Sequence, residues 1–355
     1  MSIDSPEARK RVLSGMRPTG EGRLHLGNYM GALHNWVQLQ HRYESYFFVA
    51  DLHALTSDYA DTSQLRQNTF DVALDFLSAG LDPQTCTIFV QSQVKPHFEL
   101  PQLLGMITPL GWLERVPTYK EQLENIKGKD LTTYGFLGYP LMMASDILLY
   151  QAHFVPVGQD QVAHVEFTRE IARRFNSFYP FNPTASQAAL RGPDLLPIEV
   201  LPEPQVLLTP SPKLPGTDGR KMSKSYGNTI LLTDSEPVVR QKLKTMVTDP
   251  ARIRRSDPGD PEVCPVFDLH KVFSSVETQE RAREGCTTAG IGCIECKSWV
   301  ADAVVAELVP IQERRNKYES NPSLVTDILE EGKLRATSRA EQTMREVRAA
   351  VGLSE

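Results

Sequence analysis

The chain has 355 residues, 41% hydrophobic and 23% charged, with a net charge of −6 at pH 7. That length accommodates a full α/β core plus one smaller domain, and the acidic balance excludes indiscriminate nucleic-acid binding, so an RNA partner needs a local basic face. Residues 1–12 are charged and lack the apolar centre of a secretory signal, and no apolar run approaches membrane-spanning length, so neither export nor membrane insertion is expected.

In chain order, residues 11–16 read as a short strand, followed by a turn-rich stretch (Pro18, Thr19, Gly20, Gly22) and an apolar periodic helix from about Asn28. Residues 46–50 and 87–90 read as buried strands, separated by amphipathic helices such as 64–79. Residues 139–150 read as a helix with Pro140 in its first turn. A further strand is expected at 154–157, then a loop at Gly158 and a helix ending near Phe175. The Pro-rich stretch 180–215 is expected to be irregular. This alternation predicts an α/β fold with a parallel sheet covered by helices on both faces. Beyond residue 232 the strand signal fades and helical patterns dominate, over 235–246 and from Cys296 onward. A domain boundary is therefore placed near 232, dividing the chain into 1–232 and 233–355.

Two segments carry phosphate chemistry. Gly219-Arg220-Lys221-Met222-Ser223-Lys224-Ser225 puts two ammonium groups on a short loop with Gly227, Tyr226 and two serine hydroxyls, as a mobile clamp on pyrophosphate would. Such a run by itself is also what a solvated loop looks like. Upstream, His25-Leu26-Gly27-Asn28 lies where a strand and a turn open into a helix N-terminus, which offers free N–H groups to a phosphate. There is no Walker A motif, and Gly20-Glu21-Gly22 lacks the third glycine of a dinucleotide fingerprint.

Together the two segments resemble the HIGH and KMSKS signatures of class I aminoacyl-tRNA synthetases, with Asn28 in place of the final His of the first. The resemblance implies a Rossmann-like catalytic domain and a helical anticodon-binding domain, with ATP as substrate and Mg²⁺ on its phosphates. It is closest to the tryptophanyl members, over about 13–247 and most clearly through 155–166. It implies that the chain is a tryptophan–tRNA ligase that forms tryptophanyl-adenylate and transfers it to tRNA(Trp). It further implies a cytoplasmic homodimer. By that resemblance His25, Asn28, Lys221, Lys224 and Lys120 serve the phosphates. Arg17, Pro18, Thr19, Gly27, Gly158, Gln159, Asp160, Val206, Met222, Ser223 and Ser225 would contact ATP, although Arg17 stands where bacterial members often have Gln. Tyr139 and Gln161 would hold the amino-acid backbone, Met143 the indole wall, and Asp146 the indole N–H. Lys120 reads equally as a solvated helix charge.

Asp146 also stands out without the family. Tyr139, Met143, Asp146 and Tyr150 share one helical stripe, and a carboxylate on an apolar helix needs a donor, from a neighbouring loop or from a substrate. Its replacement is expected to affect activation more than folding. Tyrosyl-tRNA synthetases share the fold, both signatures and a pocket Asp. Their phenol site usually adds a Tyr near the start of the domain, where this chain is apolar (13–16). A silent tryptophan sensor or tRNA-binding regulator would not need an intact pyrophosphate clamp.

Arg240, Lys242, Lys244, Arg252, Arg254 and Arg255, opposed by Asp249, form a basic stretch that offers tRNA contact or a solvated face. Of the chain's 5 cysteines, Cys264, Cys286, Cys293 and Cys296 have metal-ligand spacing, C-x21-C-x6-C-x2-C. Zn²⁺ and a [4Fe–4S] cluster both suit such a set. A subset of bacterial tryptophanyl synthetases carries a [4Fe–4S] cluster at similar spacing, which favours the cluster. Residues 264–286 hold little that would form a core, so their order is expected to depend on that site. Cys86 reads as an inert buried thiol.

Overall fold

The computed structural model describes residues 9–18, 22–125, 129–180, 199–208 and 213–353. Its five parallel strands are β1 (Arg11–Met16), β2 (Glu44–Val49), β3 (Thr87–Val90), β4 (Phe154–Val157) and β5 (Gln205–Leu208), in the order β3-β2-β1-β4-β5. This is the expected Rossmann-like α/β arrangement, with one correction. β5 falls inside the stretch expected to be irregular, where Val206, Leu207 and Leu208 pair with Val155, Pro156 and Val157 of β4. So short an apolar run carries no readable period. Residues 181–198 and 209–212 of that stretch lie outside the described residues.

Both faces of the sheet are covered, so strand residues alternate between two cores rather than between core and water. Val12, Phe47, Val49, Ile88 and Val90 enter one cluster, and Leu13, Tyr46, Phe48 and Phe89 enter the other. The covering helices are α1 (successive runs Leu26–Asn28, the π-helical Tyr29–Leu33, and His34–Leu39), α2 (Asp51–Asp58), α3 (Leu65–Ala79), α4 (Pro96–Gly105), α5 (Tyr139–Leu149) and α6 (Val162–Phe178).

After residue 232 the described chain is helical: α7 (Glu236–Thr245), α8 (Pro265–Phe273), α9 (Val276–Thr287), α10 (Cys293–Glu319) and α11 (Pro322–Val351). The core is continuous across 232, because Val239, Leu243, Val300, Val304 and Leu308 share a cluster with Val12 and Phe47. Residues 264–286 join the same core. They form α8 and α9, whose Val266, Phe267, Leu269 and Ala282 sink into that core. These apolar residues are spaced by a helical period that a search for an independent core overlooks.

Helix α11 runs from one side of the sheet to the other. Ile328 and Leu329 lie in the first cluster, and Ala336, Ala340 and Met344 in the second. Where it passes the outer strand β3, a Cβ on Gly332 would come within 1.7 Å of the Ile88 carbonyl oxygen, so only glycine permits the approach.

Candidate active site

Strand β1 is the switch point of the sheet, with β2 on one side and β4 on the other. Open α/β sheets bind ligands beyond the carboxyl ends of strands at such a point. A single pair, Val12↔Phe154, joins β1 to β4. Pro156, which has no N–H to donate, follows in β4 and cannot extend that ladder. Between the strand ends lies a cavity of about 330 Å³. Leu13, Gly15 and Arg17 line it from the β1 side, and Gly158 and Gln161 from the β4 side. Helix α5 supplies Tyr139, Met143 and Asp146.

The α5 stripe divides by depth. Tyr150, one residue past the helix, is fully buried and donates or accepts at His97 Nε2 (2.9 Å) below the cavity. Asp146 is itself buried, and protein donors reach it: His97 Nδ1 (2.7 Å) and Gln91 Nε2 (2.8 Å) at Oδ1, and His53 Nε2 (2.7 Å) at Oδ2. Burial alone would raise this carboxyl, but the hydrogen bonds from His53 and His97 outweigh it and hold Asp146 below the usual carboxylate range. Each carboxylate oxygen accepts about two bonds. Oδ1 is filled and Oδ2 keeps capacity, on a residue that lines the cavity.

The segments that carry the two phosphate motifs, far apart in sequence, meet at the start of α1, which lines the cavity further along through Gly31 and Ala32. Leu26 N–H donates to Ile230 C=O (2.9 Å), Leu232 N–H donates to Leu24 C=O (2.9 Å), and His25 bridges to Leu231. His25 caps α1 reciprocally with Asn28. His25 Nδ1 accepts from the Asn28 N–H (3.3 Å), and Asn28 Oδ1 accepts from the His25 N–H (3.2 Å). The cap fixes what each side chain can still do. A neutral imidazole that accepts at Nδ1 carries its proton on Nε2, and an amide that accepts at Oδ1 presents its NH₂. Burial, then the nearby Lys224 and Lys221 ammonium groups, lower His25 to about 4, so it is neutral at pH 7.

The KMSKS loop is shaped by Asn228, which sequence reasoning missed. Its Oδ1 accepts from the Ser223 N–H (2.8 Å), and its Nδ2 donates to Asp218 Oδ1 (2.7 Å) and to the Lys221 carbonyl (3.2 Å). A Cβ on Gly216 would lie 2.2 Å from the Asn228 amide, so glycine is required there. Met222, expected as an ATP contact, can offer only its backbone to a ligand. Its side chain is 3% exposed and anchors the loop in the core. Ser223 and Ser225 share a 2.9 Å hydroxyl contact on the loop surface.

Other expected residues sit apart. Gln159 is exposed, Val206 packs on the second core cluster, and Lys120 is exposed on the helix Pro117–Asn125; none of these lines the cavity. Pro18 is buried beside the polar cleft next to the cavity. Thr19 and the side chain of Asp160 lie outside the described residues. His53, His97 and Gln91 escaped the sequence reading because each comes from a different element and none has a motif; the one signal was that Asp146 required donors.

The cysteine region is assembled from α8, α9 and α10. The thiols are free, and Cys296 feels the other three: burial, then Cys264, Cys286 and Cys293, push it up to about 12. Among the described residues no group of three His, Cys, Asp or Glu side chains is set at metal-holding geometry. Two buried cations flank the thiols, Arg252 and Lys297. Arg252 reaches Cys286 Sγ (3.6 Å) and the Arg255 carbonyl (3.2 Å), while its Nε has no partner. Lys297 reaches the Lys244 carbonyl (3.1 Å). Arg240 and Lys242 are bound to carboxylates, so the exposed remainder of the basic stretch is Lys244, Arg254 and Arg255.

Comparison with known proteins identifies the family. The family model for class I tRNA synthetases (W and Y) matches residues 5–309, and the chain belongs to that family. A tryptophan–tRNA ligase of Ralstonia nicotianae is 49% identical over 97% of this chain and 99% of its own, and one of Thermotoga maritima is 50% identical over 97% and 99%. The chain's place within the family is among the tryptophan–tRNA ligases. The crystal structure of a tryptophanyl-tRNA synthetase from Campylobacter jejuni, complexed with ADP and tryptophane, matches with a TM-score of 0.82 at 34% identity, covering 97% of this chain and 100% of that one.

Proposed function

We propose that the chain activates L-tryptophan with ATP at the switch-point cavity and transfers it to tRNA(Trp). In the first step the tryptophan carboxylate attacks the α-phosphorus of ATP, giving tryptophanyl-adenylate and pyrophosphate. The carboxylate is already ionised, so no protein base is needed, and catalysis rests on positioning and charge neutralisation. The Nε2–H of His25 and the amide of Asn28 donate to the phosphates. Lys221 and Lys224, with Lys120 brought in by its own segment, hold the leaving pyrophosphate. Mg²⁺ supplies further charge neutralisation. Gly27, Gly158, Gln159, Asp160, Arg17 and the loop residues Ser223 and Ser225 frame the nucleotide, while Tyr139 and Gln161 hold the amino-acid backbone. A ribose hydroxyl of the tRNA terminus then attacks the adenylate carbonyl, forming the ester and releasing AMP.

The observation that carries tryptophan over other amino acids is the Asp146 carboxylate, anionic and with acceptor capacity on Oδ2 in a cavity walled by Leu13, Phe48 and Met143. An indole N–H satisfies it, and a smaller side chain leaves it unpaired. Pyrophosphate exchange run with each proteinogenic amino acid tests this. Tryptophan should be strongly preferred, and exchange with tyrosine at equal efficiency would overturn the reading.

Cys264, Cys286, Cys293 and Cys296 are proposed to hold a [4Fe–4S] cluster, with Zn²⁺ as the alternative. Arg252 and Lys297, buried beside the thiols, support an anionic occupant; Asp249 bears on Arg252 but no carboxylate lies within ion-pair distance of Lys297 among the described residues, and buried charge requires compensation. Four thiolates around a metal supply it. The group would brace the helical region and takes no part in adenylation. Iron and sulfide analysis of anaerobically purified protein should find about four irons per chain. One zinc would keep the ligands and change the metal.

The same family reading makes the working form a cytoplasmic homodimer. Phe98, Leu110 and Tyr134, exposed at 55%, 59% and 78%, line one groove and suit a covered surface. Sedimentation should give twice the chain mass. No described helix is long and apolar enough to cross a membrane.

A further inference from the structure

One helix is bonded to the chain flanking both phosphate motifs, although it carries none of their residues. On α10, Arg315 forms a buried ion pair with Asp75 of α3. The other carboxylate oxygen of Asp75, Oδ2, accepts from the Leu24 N–H (2.7 Å), one residue before the His25 cap. Eight positions earlier on the same helix, Glu307 accepts from the Tyr29 hydroxyl (2.7 Å), just past that cap. Between them, Gln312 Nε2 donates to the carbonyls of Leu232 (3.0 Å) and Asp234 (2.9 Å), which follow the KMSKS loop. The Lys224 ammonium is close enough to bear on the Asp75 carboxylate. The first turn of α10 carries Cys293 and Cys296.

We propose that Asp75, Arg315 and Gln312 are positioning residues for adenylation, which use α10 as a common rail to set the His25-Asn28 cap in register with the KMSKS loop. None of them touches the substrate cavity. Asp75 fixes the backbone entering the cap, and Gln312 fixes the backbone leaving the loop. Because both anchors, Gln312 and Arg315, stand within one turn of the same helix, a shift of either motif relative to the other must break a bond to α10. The physical reason for this economy is geometric, since two donors or lysines that clamp one triphosphate must keep their separation to well under an ångström for productive alignment. The ion pair is buried because an exposed one would be too weak and mobile to hold a backbone amide in place. The inference rests on the adenylation reading given above.

Two variants test it in the full chain. Gln312→Ala removes the loop anchor from a half-buried position, where folding is not at stake. Asp75→Asn keeps the size of the side chain and removes its charge. Both are assayed by tryptophan-dependent pyrophosphate exchange across ATP and tryptophan concentrations, alongside a one-dimensional proton spectrum that follows His25. The expected result is a rise in the KM for ATP and a fall in kcat of about ten-fold together, with the KM for tryptophan within two-fold of the parent. His25 should titrate at a changed pH in Asp75→Asn, because its cap has moved. Gln312→Glu, which keeps the length but not the donor, should not rescue. If Asp75→Asn fails to fold, Gln312→Ala decides the matter alone. Parental kinetics in a folded Gln312→Ala, or an equal loss of ATP and tryptophan affinity, would overturn the proposal. Absence of exchange in the unmutated chain would instead overturn the adenylation reading, which keeps the two failures distinct.

Discussion

Replacing Asp146 should show how far the fold and the specificity of this site depend on one carboxylate. The sequence alone suggests a substrate contact with little structural weight, yet the side chain is the common acceptor of His53, His97 and Gln91. In Asp146→Ala all of these donors lose their partner inside the protein, and each unsatisfied buried group costs about 1–3 kcal/mol. His53 can turn to the cavity and be hydrated, so the sum settles at roughly 4 kcal/mol. A chain of this size unfolds with an entropy near 0.7 kcal/mol per kelvin, so the midpoint should fall by roughly 5 °C. Asp146→Asn is predicted to behave differently. Its amide oxygen can serve Gln91 and His97 while His53 changes tautomer to accept from the new NH₂, so folding should suffer by no more than about 1 kcal/mol. The cavity, however, then faces an NH₂ where Oδ2 stood, and tryptophan affinity should drop by about 1–3 kcal/mol, or about five-fold to more than a hundred-fold. Calorimetric unfolding and tryptophan titration on the same samples separate the two effects. An Ala variant as stable as the parent would refute the donor hub, and an Asn variant with parental tryptophan affinity would refute the role of Oδ2.

Lys221→Ala and Lys224→Ala should each raise the adenylation barrier by roughly 2–4 kcal/mol, the scale of one lost donor at a developing charge, while tryptophan binding persists; single-turnover rates check this. Lys224→Ala should also let the His25 pKa rise from about 4, because that ammonium is the leading charge that lowers it. His25 gives a stability prediction with a definite sign. Its folded value of about 4 lies below its ordinary 6.5, so the unfolded chain takes up the proton first as pH falls. The stability it contributes is complete above pH 6.5 and is lost towards pH 4, by at most about 3 kcal/mol. Urea unfolding at both ends of that window should show the loss in the parent and a flatter response in His25→Gln. Asn228→Ala removes the acceptor and donors that bind Ser223, Asp218 and Lys221, and should raise the KM for ATP several-fold with tryptophan binding intact; an unchanged ATP dependence would mean the loop holds its shape without it.

What the sequence revealed follows from what local patterns can encode. The strands at 87–90 and 154–157 are legible because apolar β-branched and aromatic runs bounded by turns have few other solutions. The clamp and the cap are legible because their chemistry is contiguous: His25, Gly27 and Asn28 lie within one turn, and Lys221 and Lys224 within one loop. The donor cluster around Asp146 is not contiguous. Asp146 could be singled out as a carboxylate in want of donors, but His53, Gln91 and His97 arrive from α2, the turn after β3, and α4. Only the folded sheet brings them together. The burial of Met222 is not legible either, since membership of a motif says nothing of which way a side chain points, and this one turns inward. Arg252 reads as surface charge in a basic stretch and is instead enclosed against Cys286.

The passage of α11 across β3 has a consequence for how the protein is made. β3 is an outer strand, and Gly332 of α11 closes against it only after some 240 further residues have been synthesised. At ribosomal rates of about 5–20 residues per second, that strand waits for roughly 12–50 s with its outer edge uncovered. An uncovered edge strand is a template for pairing with other chains. Newly begun copies on neighbouring ribosomes present the same edge during the same interval. Slowing translation between β3 and α11 should therefore increase aggregation without altering a single contact of the finished molecule, whereas ribosome release shortly before Gly332 should yield a sheet that is fully formed in sequence and still insoluble.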